Sequence, residues 1–403
     1  QKTTYCFDVS VWELLWPIMV GAKLVFAKPD GQKDSNYIES LINKHQISTI
    51  HFVPSMLEIF LLSLEKDACK SLKRVLCSGE ELSLRQASLF RDKLDHAELY
   101  NLYGPTEAAI DVSCWTVPAK PEKISIGKPV ANTSIYILDE QLEPCAIGEE
   151  GELYIGGIQV ARGYLNRPEL DAERFLKNPF TKDKHNRLYR SGDLARWLSD
   201  GSIEYLGRAD QQVKIRGFRI EPGEIENVIL EFGGIKQCFI HAQEDLSGDK
   251  KLIAYIIDSE GQYDTEKLKS HLKSRLPDYM IPSFFMDIPE LPLNSSGKAD
   301  RKALPAPGNK RPELQVMYKS PANETEKLLS RLWSSILNID KIGVHDNFFD
   351  LGGNSLLALR LASILKQEHR LNLPVTKLYQ EPTIAGIAKF LSGKTNSQQL
   401  SHR

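Results

Sequence analysis

Short apolar runs alternate with helical patterns in the first quarter of the chain, and this alternation restricts the fold more than any other feature. Four apolar runs predict strands at 22–27, 47–53, 72–77 and 98–102. Apolar residues at helical spacing predict helices at 37–45 and 57–64. A further helix is predicted to begin at Ser83, because Gln86 follows it at capping-box spacing. Strands that alternate with helices predict a largely parallel sheet covered by helices.

Polar loops follow three of these predicted strands. They are Pro54-Ser55, Ser78-Gly79-Glu80-Glu81 and Tyr103-Gly104-Pro105-Thr106-Glu107. Open α/β sheets bind ligands beyond the carboxyl ends of their strands, so the three loops predict one shared cleft. The local pattern is equally consistent with ordinary connecting loops.

The rest of the sequence predicts further domains. Short strands with Gly, Asp and Pro turns fill 124–207, and Ser199-Asp200-Gly201 indicates a hairpin. An α+β domain is predicted after this region, then a Pro-rich linker, and then a small bundle of apolar helices whose first helix has the capping pair Asn323 and Glu326. The predicted domains are 1–209, 210–304, a linker at 305–320, the bundle at 321–392 and a disordered polar tail at 393–403.

Composition excludes several classes of partner. Lysine and arginine (51) nearly balance aspartate and glutamate (53), so the net charge of −2 predicts no nucleic-acid or membrane partner. No apolar run approaches the roughly 20 residues of a membrane span. The six cysteines are scattered, without a C-x-x-C pair or a histidine at metal-ligand spacing. Such thiols are typical of a reducing cytoplasm, so we expect a cytoplasmic protein without structural zinc.

Six motifs occur in a fixed order along the chain. They are FDVSVWE (7–13), NLYGPTEA (101–108), GELYIGGIQVARGYLNRPELDAERF (151–175), YRSGDLARW (189–197), GRADQQVKIRGFRIEPGEIE (207–226) and LPLNSSGKADRKAL (291–304). This set resembles nonribosomal peptide synthetase adenylation domains, members of the adenylate-forming superfamily. A final stretch, DNFFDLGGNSLLALRL (346–361), looks like a peptidyl carrier domain. The resemblance implies part of a large α/β subdomain, a small mobile α+β subdomain and a four-helix-bundle carrier.

The resemblance also implies a reaction in two steps. ATP activates an amino acid as its adenylate, and the aminoacyl group then passes to a 4'-phosphopantetheine thiol. Because charge builds on phosphate oxygens in the first step, Mg²⁺ and cationic groups are needed. The implied catalytic residues are Lys298 at the substrate carboxylate, Glu107 as the Mg²⁺ ligand and Thr106 beside the phosphates. The residues implied around the adenine and ribose are Gly79, Glu80, Tyr103, Asp193, Tyr205 and Arg208.

The amino-acid pocket follows from the same matching positions. They are Asp8, Val9, Trp12, His51, Leu76, Ser78, Leu102, Ile110, Asp111 and Lys298. Asp8 would pair with the substrate ammonium group, although an aspartate there can also cap the following helix. Trp12 shortens the pocket, and polar side chains line it, as in serine-activating domains. L-Serine is therefore the predicted substrate, with alanine rejected more strongly than threonine; the alternative is that His51 merely satisfies the core.

Ser355 follows Gly352-Gly353-Asn354 and opens a predicted helix, whose N-terminus favours a phosphate group. As a helix cap it would be unremarkable, but the resemblance makes it the 4'-phosphopantetheine attachment site. The resemblance also implies a small domain that rotates about Asp210 and brings Lys214 and Gly217 to the active site. The implied partners are a phosphopantetheinyl transferase and neighbouring condensation, thioesterase or next-module domains.

Three functions stay open at this stage. Full adenylation domains carry a Gly/Ser/Thr/Lys-rich phosphate loop upstream of FDVSVWE, and only six residues precede Phe7 here, so we expect a longer natural protein. The first possibility is an activating and loading enzyme, and the second is an inert fragment that serves only as a carrier or interaction protein. The third, a stand-alone acyl-CoA ligase, is disfavoured by Asp8 and by the fused carrier.

Overall fold

A computed structural model describes the chain in ranges separated by short gaps. The described residues are 1–29, 31–182, 187–210, 212–215, 217–244, 250–259, 263–293, 299–309, 311, 316–353 and 355–400. The chain divides into two compact units, Gln1–Phe218 and Arg219–Arg403. The finer domain boundaries predicted from the sequence stay predictions. Among the described residues, no helix combines the length and apolar character needed to cross a membrane.

The first unit alternates strands and helices before it becomes mainly β-sheet. Its helices are α1 (Ser10–Met19), α2 (Ser35–His45), α3 (Pro54–Ser63), α4 (Leu84–Leu94) and α5 (Pro168–Arg174), with short 3₁₀ helices at Gly31–Lys33 and Thr106–Ala108. Its strands are β1 (Thr49–Phe52), β2 (Arg74–Cys77), β3 (Glu98–Tyr103), β4 (Ser113–Thr116), β5 (Lys128–Pro129), β6 (Thr133–Leu138), β7 (Gly151–Gly157), β8 (Phe175–Lys177), β9 (Arg187–Trp197), β10 (Ile203–Arg208) and β11 (Val213–Ile215), and β12 (Phe218–Ile220) begins where the unit ends.

Two sheets organise this unit. In the first sheet β1, β2 and β3 are parallel neighbours, as the alternation predicts, and β4 and β5 continue it antiparallel. The second sheet has the order β10-β9-β7-β6, with β8 against β9, and all its pairs are antiparallel. The predicted capping box at Ser83 and the hairpin between β9 and β10 are both confirmed.

The strand predicted at 22–27 is wrong. This segment forms no strand with any of the residues that the structure describes. Two backbone bonds link it to a single residue, because Gln1 donates to Val25 O at 2.7 Å and accepts from Ala27 N at 3.0 Å. An apolar run becomes a strand only when a neighbouring strand pairs with it. The contacts with Gln1 alone do not form such a strand.

The second unit begins with an α+β region. Strand β13 (Ile235–Glu244) pairs antiparallel with β14 (Lys250–Ser259), which pairs parallel with β15 (Phe284–Ile288). Helix α6 (Pro222–Leu230) packs on β13, and α7 (Thr265–Arg275) packs on α6. Proline at the first turn of α6 and the Asp264 cap of α7 explain where these helices begin.

The same unit ends with a helical bundle that has its own apolar core. Its helices are α8 (Glu324–Leu337), α9 (Ser355–His369), α10 (Val375–Gln380) and α11 (Ile384–Leu400). The capping box predicted at Asn323 and Glu326 is confirmed. Trp333 packs edge-on against Phe348 at 4.8 Å between ring centroids, and both rings are fully buried.

Two segments of this unit differ from the sequence analysis. Helix α11 extends to Leu400, through most of the predicted disordered tail, because no glycine or proline follows Gly393 to end it. Residues 401–403 lie outside the described ranges. The predicted linker contains Arg311, whose Nε and Nη2 donate to the buried Asp346 carboxylate at 2.8 and 2.7 Å. The linker is therefore attached to the bundle at this point.

Candidate active site

The parallel strands place four predicted pocket residues on one face of the first sheet. His51 of β1 is the register partner of Leu76 of β2, and Leu76 is the partner of Tyr100 of β3. Because side chains alternate along a strand, Ser78 and Leu102 lie on this same face, two residues beyond Leu76 and Tyr100. The sheet geometry therefore brings together residues that are up to about fifty positions apart.

A buried polar pair marks this face. His51 Nε2 lies 3.0 Å from Ser78 Oγ, and the Trp12 ring meets the His51 ring edge-on at 5.6 Å. His51 Nδ1 is buried without a hydrogen-bond partner in the part of the chain that the structure describes. Burial, assisted by the positive charge of Lys2, holds the pKa of His51 well below its usual range. The imidazole is therefore neutral at physiological pH, with one nitrogen available to a polar ligand.

Asp111 lies at the end of a strained turn. Ala109 O accepts from Asp111 N at 3.2 Å, which closes a three-residue turn around Ile110 at a φ of 83°. This backbone region is unusual for a β-branched residue, and such strain is often retained at functional sites. Asp111 Oδ1 is buried without a partner among the described residues. Burial, and then the negative charge of Asp8, raise the pKa of Asp111 to about 7.

Asp8 and Val9 lie at the beginning of α1. Val9 occupies the cap position, and no side chain among the described residues caps the helix there. Asp8 Oδ1 accepts a short-range bond from Val9 N at 2.8 Å. The capping role considered for Asp8 is therefore not realised. Its negative charge contributes to the raised pKa of Asp111.

A second cluster, around Asp193 of β9, contains the residues predicted for the ribose and adenine. Asp193 is 3% exposed, Tyr103 Oη donates to its Oδ2, and Arg208 Nη1 donates to its Oδ1 at 3.0 Å. The Tyr205 ring is tilted against the Tyr103 ring at 6.3 Å. Burial and the Asp193 carboxylate raise the pKa of Tyr103 well above its usual range, so its hydroxyl stays a donor.

Arg208 also binds the predicted hinge residue. Its Nε donates to Asp210 Oδ1 at 2.9 Å, and its Nη2 donates to Asp210 Oδ2. Burial alone would raise the pKa of Asp210, but the Arg208 guanidinium outweighs burial and holds that pKa below its usual range. One arginine therefore joins the Asp193 cluster to the segment where β11 begins.

Glu80 connects two loops at the same edge of the sheet. Its carboxylate accepts from Ser55 N at 3.0 Å and from Gly217 N at 2.7 Å. Lys214 Nζ lies 5.8 Å from the centre of the Tyr103 ring. Gly79, beside Glu80, has a φ of 88°. Lys214 of β11 and Gly217 after this strand thus lie beside the predicted adenine residues.

Thr106 and Glu107 occupy the 3₁₀ helix after β3. Thr106 is exposed, and the Glu107 carboxylate accepts from Tyr164 Oη at 2.6 Å. The sequence pattern assigned no role to Tyr164, although it lies within the motif at 151–175. In the described ranges, no group of three or more His, Cys, Asp and Glu side chains is placed to bind a metal. This donor set fits Mg²⁺, which uses one or two carboxylates together with substrate phosphates rather than a cage of protein ligands.

Two predicted residues belong to the second unit. Lys298 lies outside the described residues, so its role stays a prediction. Ser355 is the first residue of the 15-residue helix α9. Gly353, two positions earlier, has no room for a side chain, since a Cβ there would overlap Phe348 O. The glycine therefore lets the chain turn tightly over Phe348 before the helix begins.

Three family descriptions match successive parts of the chain. Residues 1–165 match the AMP-binding enzyme family, residues 224–298 match the AMP-binding enzyme C-terminal domain, and residues 327–391 match the phosphopantetheine attachment site. The third match contains Ser355 and most of the helical bundle.

Curated relatives extend along almost the whole chain. Tyrocidine synthase 3 of Brevibacillus parabrevis is 44% identical over 97% of the chain, and phosphinothricin tripeptide synthetase PhsB of Streptomyces viridochromogenes is 42% identical over 96%. The chain spans only 6% and 33% of the lengths of these two relatives.

Solved structures agree with these matches. Holo-PA1221, described as an NRPS protein containing adenylation and PCP domains, aligns with 97% of the chain and 65% of its own length, at 26% identity and a TM-score of 0.78. The adenylation domain AlmE of Vibrio cholerae, solved with glycyl-adenosine-5'-phosphate, aligns with 74% of the chain and 56% of its own length, at 27% identity and a TM-score of 0.66. The chain therefore contains an adenylation-domain region followed by a carrier domain, in the same order as in these nonribosomal peptide synthetases.

Proposed function

We propose that this chain takes part in activating an amino acid with ATP and in loading it onto its own carrier domain. The observation that supports the proposal most is the pairing of two polar clusters in one unit. The first, around His51, Ser78 and Asp111, suits a small polar substrate. The second, around Asp193 and Tyr103, suits a nucleoside. An aminoacyl-adenylate has both of these parts, and the related AlmE structure holds such a molecule.

The residues of the second cluster, together with Glu107 and Lys298, would bind ATP and the substrate carboxylate. The Asp193 carboxylate accepts hydrogen bonds from the ribose hydroxyls, in exchange for its contacts with Tyr103 and Arg208. The Tyr103 and Tyr205 rings provide the apolar surfaces that an adenine requires. Glu107 would hold Mg²⁺, which neutralises charge on the phosphates when bound. Lys298 is the proposed cation at the substrate carboxylate.

We propose L-serine as the amino acid. Trp12, whose ring contacts His51 edge-on, would shorten the pocket, and neutral His51 and partly protonated Asp111 would provide hydrogen-bonding groups for a hydroxyl. Asp8 would pair with the substrate ammonium group. Buried polar groups that are left without a partner are costly, so alanine should be a much poorer substrate than serine. Threonine keeps the hydroxyl group and differs only in size.

Ser355 is the proposed attachment site of 4'-phosphopantetheine. It stands at the start of α9, where helix N–H groups favour a phosphate, and it follows the tight turn at Gly353. The cofactor supplies the thiol that receives the aminoacyl group. The proposed partners are a phosphopantetheinyl transferase and neighbouring synthetase domains, and the free cysteines suit a cytoplasmic location.

The proposal is tested by amino-acid-dependent exchange of pyrophosphate into ATP. The assay uses the complete gene product that carries this chain, with each of the twenty amino acids in turn. We expect the highest exchange with L-serine and loss of exchange in Lys298→Ala and Asp8→Ala. A maximum with another amino acid would retain the activity and reject serine. Folded protein without exchange for any amino acid would reject activation and favour a carrier-only role.

A further inference from the structure

Glu107 has a side-chain partner far from it in sequence. Tyr164 Oη donates to Glu107 Oε1 at 2.6 Å, and Ala161 N donates to the backbone Glu107 O at 2.8 Å. Both donors lie in the loop after β7. The loop therefore binds both the backbone and the carboxylate of Glu107, so two separate hydrogen bonds fix this residue against the loop.

The loop that holds Tyr164 is itself fixed. Tyr164 N donates to Asp171 Oδ1 at 2.6 Å. Gly163 has a φ of 144°, which favours glycine, and a Cβ there would displace the Asp171 carboxylate from this bond. The Tyr164 ring packs edge-on against Phe175 at 5.3 Å. Arg187 of β9 donates to two carbonyl groups of the same loop. The hydroxyl of Tyr164 is therefore held in place from α5, β8 and β9.

A fixed hydroxyl changes what the carboxylate can do. A carboxylate has about four lone-pair sites, so it can accept the hydrogen bond from Tyr164 and bind a cation at the same time. Mg²⁺ requires near-ideal octahedral geometry and therefore benefits from a ligand that is already oriented. Outer partners of metal ligands contribute about 10- to 100-fold to metal affinity or activity.

We propose that Tyr164 is a positioning residue that orients Glu107 toward the Mg²⁺ of the bound Mg²⁺–ATP. This inference rests on the proposed function, because that function places Mg²⁺ at Glu107. Tyr164 does not touch the substrate or the metal; it acts through the carboxylate.

The test compares ATP binding with and without metal in the complete gene product. Isothermal titration calorimetry measures ATP affinity in Mg²⁺ and in EDTA. Tyr164→Phe keeps the ring against Phe175 and removes the hydroxyl group. It should weaken ATP binding in Mg²⁺ by about 10-fold or more and leave ATP binding in EDTA unchanged.

Two further variants separate positioning from general damage. Tyr154→Phe removes another tyrosine hydroxyl that contacts a glutamate, at 3.3 Å from Glu152 Oε2, and should not change either affinity. Glu107→Gln should abolish the Mg²⁺-dependent part of the affinity, and Tyr164→Phe should then add no further loss. Equal losses in Mg²⁺ and EDTA, no loss in Tyr164→Phe, or a wild type without Mg²⁺-dependent affinity would each overturn the inference. Because nucleotide binding is measured without amino acid, failure of the exchange assay is a separate result.

Discussion

Replacing Arg311 by alanine should destabilise the carrier domain, although the sequence places Arg311 in a linker. The Asp346 carboxylate has no exposed surface, and the Arg311 side chain is 17% exposed. Their two hydrogen bonds, at 2.8 and 2.7 Å, have the two-pronged geometry of a strong arginine–carboxylate pair. In Arg311→Ala the Asp346 carboxylate would keep the hydrogen bond from Gly343 N at 2.7 Å but lose the positively charged partner that neutralises it.

The expected loss follows from burial. Removing one partner of a buried pair costs about 3 to 5 kcal/mol, because the other charge stays buried without compensation. Arg311 is partly exposed and water can reach the vacated space, so we expect about 3 kcal/mol for the free energy of unfolding. Such a loss corresponds to roughly a 100-fold change in the folding equilibrium. Arg311→Lys keeps the charge without the planar fork and should lose an intermediate amount.

The assay follows Trp333, the tryptophan in the carrier core, by ¹⁹F NMR of the full chain labelled with 5-fluorotryptophan during urea unfolding. Trp333→Phe identifies its signal. The control is Lys327→Ala in α8, which removes the ion pair between Lys327 and Glu324, also 2.8 Å long. Because these side chains are 51% and 86% exposed, the control should leave the urea midpoint of unfolding unchanged. A loss below about 1 kcal/mol in Arg311→Ala, or an equal loss in the control, would show that the Arg311–Asp346 pair does not stabilise the carrier domain.

Three other variants or labels test the first unit. Asp111→Asn should flatten the pH dependence of the free energy of unfolding. Because the pKa of Asp111 is about 7 in the folded protein and 3.8 ordinarily, the wild type loses stability as the pH rises toward 7, by about 2 kcal/mol between about pH 5.5 and 7. Urea unfolding at a series of pH values measures this loss. A wild type and variant with parallel pH profiles would contradict the raised pKa. Ser78→Ala removes the hydrogen-bond partner of His51 and should lower serine-dependent exchange by about 10-fold or more. It should also reduce the preference for serine over alanine, which the ratio of the kcat/KM values for the two amino acids measures. Iodoacetamide at about pH 8 should modify exposed Cys6 well before buried Cys69, whose pKa burial raises to about 12; peptide mass spectrometry would contradict this if both react at similar rates.

Local sequence signals predicted local structure well. The capping boxes at Ser83 and Asn323 and the parallel order of β1 to β3 follow from residue spacing alone, and all are confirmed. The wrong strand at 22–27 has the required composition but lacks a neighbour to pair with. Strand propensity describes a residue's fit to a sheet and does not supply the partner strand.

The contacts that sequence reasoning missed join distant positions. Tyr164 and Glu107 are 57 residues apart, and Arg311 and Asp346 are 35 residues apart. No spacing rule relates such residues, since only the closed fold brings them together. Tyr164 lies inside the motif at 151–175, and this position was the sequence signal that could have suggested a contact with an acidic residue of another motif, such as Glu107.

Amino-acid activation should end with an aminoacyl group on the phosphopantetheine thiol that is attached to Ser355. Mass spectrometry of the complete gene product, after treatment with a phosphopantetheinyl transferase and coenzyme A and then with ATP, Mg²⁺ and L-serine, tests it most directly. We expect a phosphopantetheine on the peptide that contains Ser355, a further seryl mass that requires ATP, and neither modification in Ser355→Ala. A modified Ser355 that never acquires an aminoacyl mass with any amino acid would contradict the claim.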